Sequence, residues 1–174
     1  MKALIVTLGI VVSLVIGAMI IGLMLDREWQ VQREILIEAP AQEVIAEVAR
    51  VGDWPQWSAW NTETYPDLVY QTEGPETGVG AVQSWNDGAM NGRMEVTSYV
   101  PGASMGYDLS MDDGQIRMKG MFNAVRTPEG TRLSWSCWGE TGSSPIDKLL
   151  MRMFLPMIGK DFEIGLANLK QRLE

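Results

Sequence analysis

The chain has 174 residues, a formal net charge of −8, no histidine and a single cysteine. An acidic chain disfavours nucleic acid as a partner, and the lack of histidine excludes the usual catalytic triad and most zinc sites. One cysteine allows no disulfide within the chain, and the length suits about one domain besides an apolar N-terminal segment.

The N-terminal segment is a run of 23 uncharged residues, 3–25. As a helix it would span roughly 34 Å, at about 1.5 Å per residue, which is enough to cross a bilayer. A cleaved signal peptide is the main alternative, but its apolar core usually has only about 7–15 residues and ends at a small-residue cleavage site. A buried core helix fits less well, because no polar side chain marks a solvent face. The sequence therefore predicts a transmembrane anchor over residues 1–28.

Charges around this helix favour one orientation. Lys2 and the amino terminus precede it, whereas charges of both signs follow it at 26–34. The positive-inside bias places the N-terminus in the cytoplasm and the domain outside. Gly9, Ser13 and Gly17 fall four residues apart, which could permit a homodimer through the membrane helix. Ordinary small-residue content of a membrane helix is the preferred interpretation of so short a motif.

The first elements of the domain follow with almost no linker. Trp29 suits a membrane interface, and alternation over residues 31–38 predicts a strand. Pro40 then opens a predicted helix at 41–51. Three tryptophans spaced by three residues predict a helical turn, and core or lid packing is preferred over contact with lipid: Trp54, Trp57 and Trp60.

Regular glycine-containing turns from residue 74 onward predict an antiparallel meander of about six strands. One face of these strands is apolar and the other is charged, as in a sheet covered on one side. The predicted inner faces are Met94, Val96, Ser98 and Val100; then Met105, Tyr107, Leu109 and Met111; then Ile116, Met118, Gly120, Phe122 and Ala124; and finally Leu133, Trp135 and Cys137.

A long C-terminal helix is predicted over 144–173, where apolar residues recur every three or four positions. Ser144 before Pro145 is typical of a helix cap. Pro156 falls inside the pattern and predicts a kink or break near Leu155. Helices at both ends of a meander favour an α+β domain, a curved antiparallel sheet wrapped around the C-terminal helix and preceded by one transmembrane helix.

Five segments together give the chain a family resemblance: REILIEAPAQEVIAEV, WPQWSAWN, GVGAVQSW, PEGTRLSW and GKDFEIGLANLK. In this order the sequence resembles the START/Bet v 1-like (SRPBCC) superfamily, in particular its bacterial polyketide cyclase/dehydrase branch. The resemblance covers residues 29–174. It implies a helix-grip fold with an apolar cavity between sheet and helix, a ligand such as a lipid, sterol or polyketide-like molecule, and a bacterial cell membrane as the location. Some members are enzymes, but no set of polar cavity residues of the catalytic kind is identified here.

Nine methionines between residues 90 and 157 favour a deformable apolar pocket, although gap filling in an ordinary core explains them almost as well. We expect a membrane-tethered domain that binds a small apolar molecule, and no catalytic residue, metal ligand or cofactor is predicted. The candidate ligand-binding residues are Trp60, Trp85, Met94, Tyr107, Met118, Phe122, Trp135, Phe154, Met157 and Ile158.

Two other functions stay open at this point. A cyclase-type or dehydratase-type enzyme would need a polar group in the cavity, from Tyr99, Tyr107, Glu95 or Asp108. A ligand-free interaction module would instead have a filled interior and an exposed apolar patch that includes Trp54 or Trp57.

Overall fold

A computed structural model describes residues 2–174, with side chains described from residue 6 onward. Met1 lies outside the described residues, and its amino group is one of the charges on which the predicted membrane orientation depends. The elements in chain order are α1 (Lys2–Met24), β1 (Glu28–Ile37), α2 (Ala41–Val48), a 3₁₀ helix (Val51–Gln56), β2 (Val69–Glu73), β3 (Val82–Asn86), β4 (Asn91–Val100), β5 (Ser104–Met111), β6 (Ile116–Thr127), β7 (Gly130–Glu140) and α3 (Pro145–Leu173).

The seven strands form one antiparallel sheet in the order β1-β7-β6-β5-β4-β3-β2. The strands from β2 to β7 are the predicted meander, and β1 closes the sheet beside β7 instead of beside β2. The curved sheet holds the long C-terminal helix, so the predicted helix-grip α+β fold is confirmed. At one end of the sheet, Glu28 of β1 lies opposite Glu140 of β7. Because α1 precedes Glu28 directly, we call this the α1-proximal end.

α1 projects from the domain and is not a core helix. The residues between Val6 and Met24 are almost all exposed, and the segment is long and apolar enough to cross a membrane. Gly22 is a buried exception, because the start of α3 packs against it at Pro145. By length and composition the helix is a candidate membrane span, and a signal sequence near an N-terminus passes the same test.

The predicted inner face of β4 is wrong beyond Val96. The pairing with β5 shifts between Val96 and Ser98, so one extra residue is inserted in β4. A β-bulge reverses which side chains face inward. Ser98 and Val100 are consequently exposed, while Tyr99 packs against the core in their place.

α3 runs without interruption from Pro145 to Leu173, so the predicted break near Leu155 does not occur. Pro156 lies within the helix and is exposed. A proline removes one backbone hydrogen bond, and the bonds of the remaining turns keep the helix continuous. The predicted cap is confirmed, since the backbone N–H of Ile146 donates to Ser144 Oγ at 3.2 Å.

The core lies between the sheet and the second half of α3. The rings of Trp135 and Phe162 stack with centroids 3.9 Å apart and an interplanar angle of 4°. Gly165 allows this close approach, because a Cβ there would lie 3.1 Å from the Trp135 ring. Trp54 and Trp57 pack edge-on or tilted against the same group of rings. Both are buried, which agrees with the preferred core interpretation and excludes them as an exposed patch.

Candidate functional site

The two halves of α3 have different surroundings. In the second half, Phe162, Leu166 and Leu169 are buried against the sheet. In the first half, no residue before Gly159 is buried, and several large apolar side chains are exposed. The interior between this first half and the sheet is therefore the less tightly closed part of the domain.

A large depression of about 1380 Å³ lies at the α1-proximal end. From the inner face of the sheet it is lined by Leu109 and Met118, which lie opposite each other on β5 and β6. Trp29 of β1 and Arg152 of α3 also line it. The depression thus extends from α3 to the inner face of the sheet, and its volume exceeds the range of about 300–1,000 Å³ typical of small-molecule pockets.

Most of the remaining lining comes from the polar face of the sheet, which carries charges of both signs. The ionisable lining residues are Asp26, Glu28, Glu95, Asp108 and Glu140, with Arg93, Arg117, Lys119 and Arg152. Five carboxylates against four cations leave the local charge close to balanced. Arg93 and Glu95 pair with each other at 2.7 Å. Within residues 2–174, Lys119 and Arg152 have no ion pair within 4 Å.

Trp29, which lines the depression, has a buried indole N–H without a hydrogen-bond partner among the described residues. Its ring is buried as well. A buried donor without a partner is uncommon in folded proteins and calls for an explanation. The ring lies against Gly139 of β7, where a Cβ would come within 3.0 Å of it. The position of the donor is consequently set by the pairing of β1 with β7.

The ten residues predicted to contact a ligand do not form one surface. Four of them are packed in the aromatic core: Met94, Tyr107, Phe122 and Trp135. Trp60 is partly buried and edge-on to Trp135, while Trp85 is partly buried over Gly92 on the neighbouring strand. Ile158 is partly buried against the core, and Phe154 and Met157 are exposed. Only Met118 among the ten lines the large depression.

The depression also has residues that the sequence prediction missed. The sequence pattern indicates only an interfacial anchor for Trp29, and nothing in it points to Arg152. Leu109 could have been found from sequence, because the glycine turn at 112–114 fixes the hairpin in which it lies opposite Met118. The contribution of Arg152 depends on where α3 crosses the sheet, and no local pattern encodes that position.

The buried tyrosine hydroxyl and cysteine thiol of the core are held in their neutral forms. Trp135 Nε1 donates to the hydroxyl of Tyr107 at 2.8 Å, and burial raises the pKa of Tyr107 well above its usual value. Burial also raises the pKa of the Cys137 thiol to about 12. Glu95 is paired with Arg93, Asp108 is exposed, and Tyr99 packs against the core. Among the described residues, no group of three or more metal-ligating side chains comes together.

Comparison with known proteins gives one family match, to the family described as polyketide cyclase / dehydrase and lipid transport, over residues 28–174. The chain belongs to this family. The family domain begins at the first residue of β1 and leaves out α1. None of the curated proteins compared matches the chain.

Solved structures share the fold of this polyketide cyclase/dehydrase-family domain at low sequence identity. A protein of Rhizobium leguminosarum described as uncharacterized is 18% identical, with a TM-score of 0.57 over 84% of this chain and 94% of the other. Ara h 8.0201 is 12% identical, with a TM-score of 0.57 over 84% and 97%. The di-domain ARO/CYC protein BexL of the BE-7585A biosynthetic pathway is 15% identical, with a TM-score of 0.60 over 85% of this chain and 50% of that protein.

Proposed function

We propose that this chain is a membrane-tethered domain that binds a small amphipathic molecule, such as a lipid, in the depression at the α1-proximal end. The observation that carries the proposal is that Arg152 of α3 and the inner-face residues Leu109 and Met118 line the same depression. In this proposal a mouth between the first half of α3 and the sheet opens beside α1, and α1 spans a bacterial cell membrane with the N-terminus in the cytoplasm and the domain outside.

The lining suits a molecule with an apolar body and a polar end. The apolar part would lie against Leu109 and Met118, since burying apolar surface is the main source of affinity in such sites. The polar end would meet the mixed charges of the sheet face, including Lys119, together with Arg152 of α3.

Family membership supports a ligand of this class. The family description includes lipid transport as well as polyketide cyclases and dehydrases. For the enzymatic alternative, the buried hydroxyl of Tyr107 is already engaged by Trp135, and Cys137 is held as a neutral thiol. Binding without a chemical step is therefore the function that the described groups support best.

The test uses the full chain purified in mild detergent from the producing cells. Native mass spectrometry should detect a bound lipid-sized molecule, and added phospholipid or fatty acid should raise the melting temperature. Met118→Glu should abolish both effects, because it places a charge in the apolar lining. Met121→Glu is the matched control, since Met121 lies three residues further along β6 on the opposite face and outside the depression lining.

A full chain that carries no lipid and shows no thermal shift would contradict the binding proposal. Equal lipid binding by Met118→Glu and wild type would show that the depression is not the site. If the two methionine variants both lose binding, the depression is not specifically required and the proposed site is rejected.

A further inference from the structure

An apolar stripe runs along the outer side of the first half of α3. It consists of Ile146, Leu150, Met153, Phe154 and Met157, whose exposed fractions are 54%, 46%, 75%, 48% and 55%. Their spacing of three or four residues places them on one face of the helix. Several neighbouring large apolar side chains exposed together are unusual on a soluble surface and mark an interaction site.

The same side of α3 is mostly polar further along, where Ile164, 40% exposed, is the large apolar side chain that remains. Gln171 follows Met153 by 18 residues, which is five full turns, so the two side chains point in nearly the same direction. Gln171 is exposed, as are Lys160 and Glu163 on the outer side of this half. Water is a suitable surrounding for the second half of the helix, whereas the first half requires an apolar one.

The stripe begins where α1 ends. A Cβ on Gly22 would lie 2.5 Å from the carbonyl oxygen of Pro145, so the two helices are in close contact there. Lys148 Nζ donates to the carbonyl oxygen of Leu25 at 2.8 Å, which fixes the first turn of α3 to the last residues of the apolar segment. From Ile146 to Met157 the stripe extends about 16 Å along the helix axis, at about 1.5 Å per residue.

We propose that the first half of α3, residues 145–157, lies in the interface of the bilayer that α1 spans, with the stripe facing the acyl chains. This inference rests on the membrane tether of the proposed function. The stripe begins one residue after Pro145, which packs on Gly22 of the exposed apolar helix α1, and this adjacency is the reason for choosing lipid as its occupant. Lys148 and Arg152 lie off the stripe, one bonded to the carbonyl of Leu25 and the other lining the depression, so neither charge interrupts the apolar face.

The arrangement has a consequence for the ligand. Arg152 lines the depression and belongs to the same helical segment as the stripe. With that segment in the interface, the mouth of the depression lies against the membrane surface, and an amphipathic molecule enters it without crossing bulk water. The acidic chain offers no general attraction to anionic lipid, so the insertion is apolar in origin and does not require anionic headgroups.

The experiment places one nitroxide label at a time on the full chain in phosphatidylcholine vesicles. The labelled variants are Met153→Cys on the stripe, Gln171→Cys as the control on the same side of the same helix, and Leu14→Cys within α1. The native Cys137 is buried with a raised pKa and does not compete for the label. We expect the labels at 153 and 14 to be shielded several-fold from a water-soluble nickel complex and accessible to oxygen, and the label at 171 to be freely accessible to nickel.

Each other outcome overturns the inference. If the label at 153 is as accessible to the nickel complex as the label at 171, while the label at 14 is shielded, the membrane tether is supported and the interfacial position of residues 145–157 is rejected. If the label at 14 is also in water, the tether of the proposed function fails with it. Spin–spin broadening at 153 that grows with protein density in the vesicles would assign the stripe to a second copy of the chain instead of lipid.

Discussion

The ring of Tyr107 occupies space that is open only because the residue opposite it on the neighbouring strand is a glycine. Gly120 lies opposite Tyr107, and a Cβ at this glycine would overlap the tyrosine ring. The ring is held in place from the other side because its hydroxyl accepts a hydrogen bond from Trp135. A single methyl group at Gly120 therefore cannot be accommodated by moving the tyrosine alone.

The substitution Gly120→Ala should destabilise the fold by about 1–3 kcal/mol, the range for overpacking a well-filled core. Thermal unfolding of the full chain in one detergent measures the effect. Gly52→Ala is the control, since the nearest atom to its new methyl group would be Thr72 Cγ2 at 3.4 Å. Equal melting temperatures for the two variants would show that the Tyr107 ring is free to move.

The buried neutral groups predict the behaviour of the protein in alkali. Burial raises the pKa of Cys137 and of Tyr70 to about 12 and that of Tyr107 further. The unfolded chain loses these protons first, near its ordinary values of 9.0 and 10.0. The stability that these groups contribute is thus complete below about pH 9 and falls as pH rises toward 12, by about 1.4 kcal/mol per pH unit for each of the buried Cys137 and Tyr107 and by less for the partly exposed Tyr70.

Tyr107→Phe should separate two effects of the Tyr107 hydroxyl on stability, its hydrogen bond with Trp135 and its titration in alkali. Near neutral pH the variant should be less stable by about 1–3 kcal/mol, because the buried N–H of Trp135 loses its acceptor. Above pH 10 its stability should fall less steeply with pH than that of the wild type, since one titrating group is gone. Chemical unfolding at a series of pH values measures both, and identical slopes for variant and wild type above pH 10 would contradict the assignment.

At the scale of elements, α3 combines a docked half with an uncovered half. The docked half is held by the Trp135–Phe162 stack and by a salt bridge between Arg33 and Glu163 with a 2.5 Å separation. The uncovered half contains Pro156, which leaves the carbonyl of Arg152 without its usual donor four residues later. The weakest backbone of the helix is consequently the part that borders the depression.

Pro156→Ala should stabilise this half of the helix, by up to about 3 kcal/mol if the full cost of an interior proline is recovered. Hydrogen exchange of the amides around 152–160 should slow, and the melting temperature should rise. Pro128→Ala, in the turn between β6 and β7, is the control and should give no such gain, because a turn proline mainly restricts the unfolded chain. Unchanged exchange in Pro156→Ala would show that the proline does not limit the helix.

At the scale of the whole molecule, the end of α1 and the residues that follow it contact one end of the domain. Arg27 pairs with Glu140 at 3.4 Å, and its backbone carbonyl accepts from the backbone N–H of Thr141 at 2.9 Å. These contacts join the end of α1 to the end of the sheet without a flexible stalk. A membrane-spanning α1 therefore holds the α1-proximal end of the domain against the bilayer.

The proposed orientation can be tested with reporters fused after Glu174. A reporter active only outside the cytoplasm should be active, and one active only in the cytoplasm should be silent. Asp26→Lys combined with Glu28→Lys places cations after α1 and should increase the inverted fraction. Glu129→Lys, in the turn between β6 and β7, is the matched charge control and should leave the orientation unchanged. Activity of only the cytoplasmic reporter in the wild type would reverse the proposed topology.

The sequence by itself predicted the elements of this fold, because each depends on local periodicity. The 23-residue apolar run, the alternating strands and the three-to-four spacing after Ser144 all appear as helices and strands near their expected positions. Glycine turns fixed the hairpin registers, so the inner faces of β5, β6 and β7 were largely correct. The bulge in β4 was not predicted, since the apolar and polar alternation up to Val96 gives no sign of the residue inserted after it.

The binding site was decided by the tertiary structure. Apolar periodicity identifies side chains that face the helix, but it does not distinguish those that fill the core from those that border an opening. Trp135 and Phe122 are completely buried by α3 and by the tryptophans of residues 54–57, whereas Met118 on the same face remains at the depression. That difference arises because the second half of α3 docks on the sheet while the first half extends toward α1, and the angle between a helix and a sheet is set by packing across distant parts of the chain.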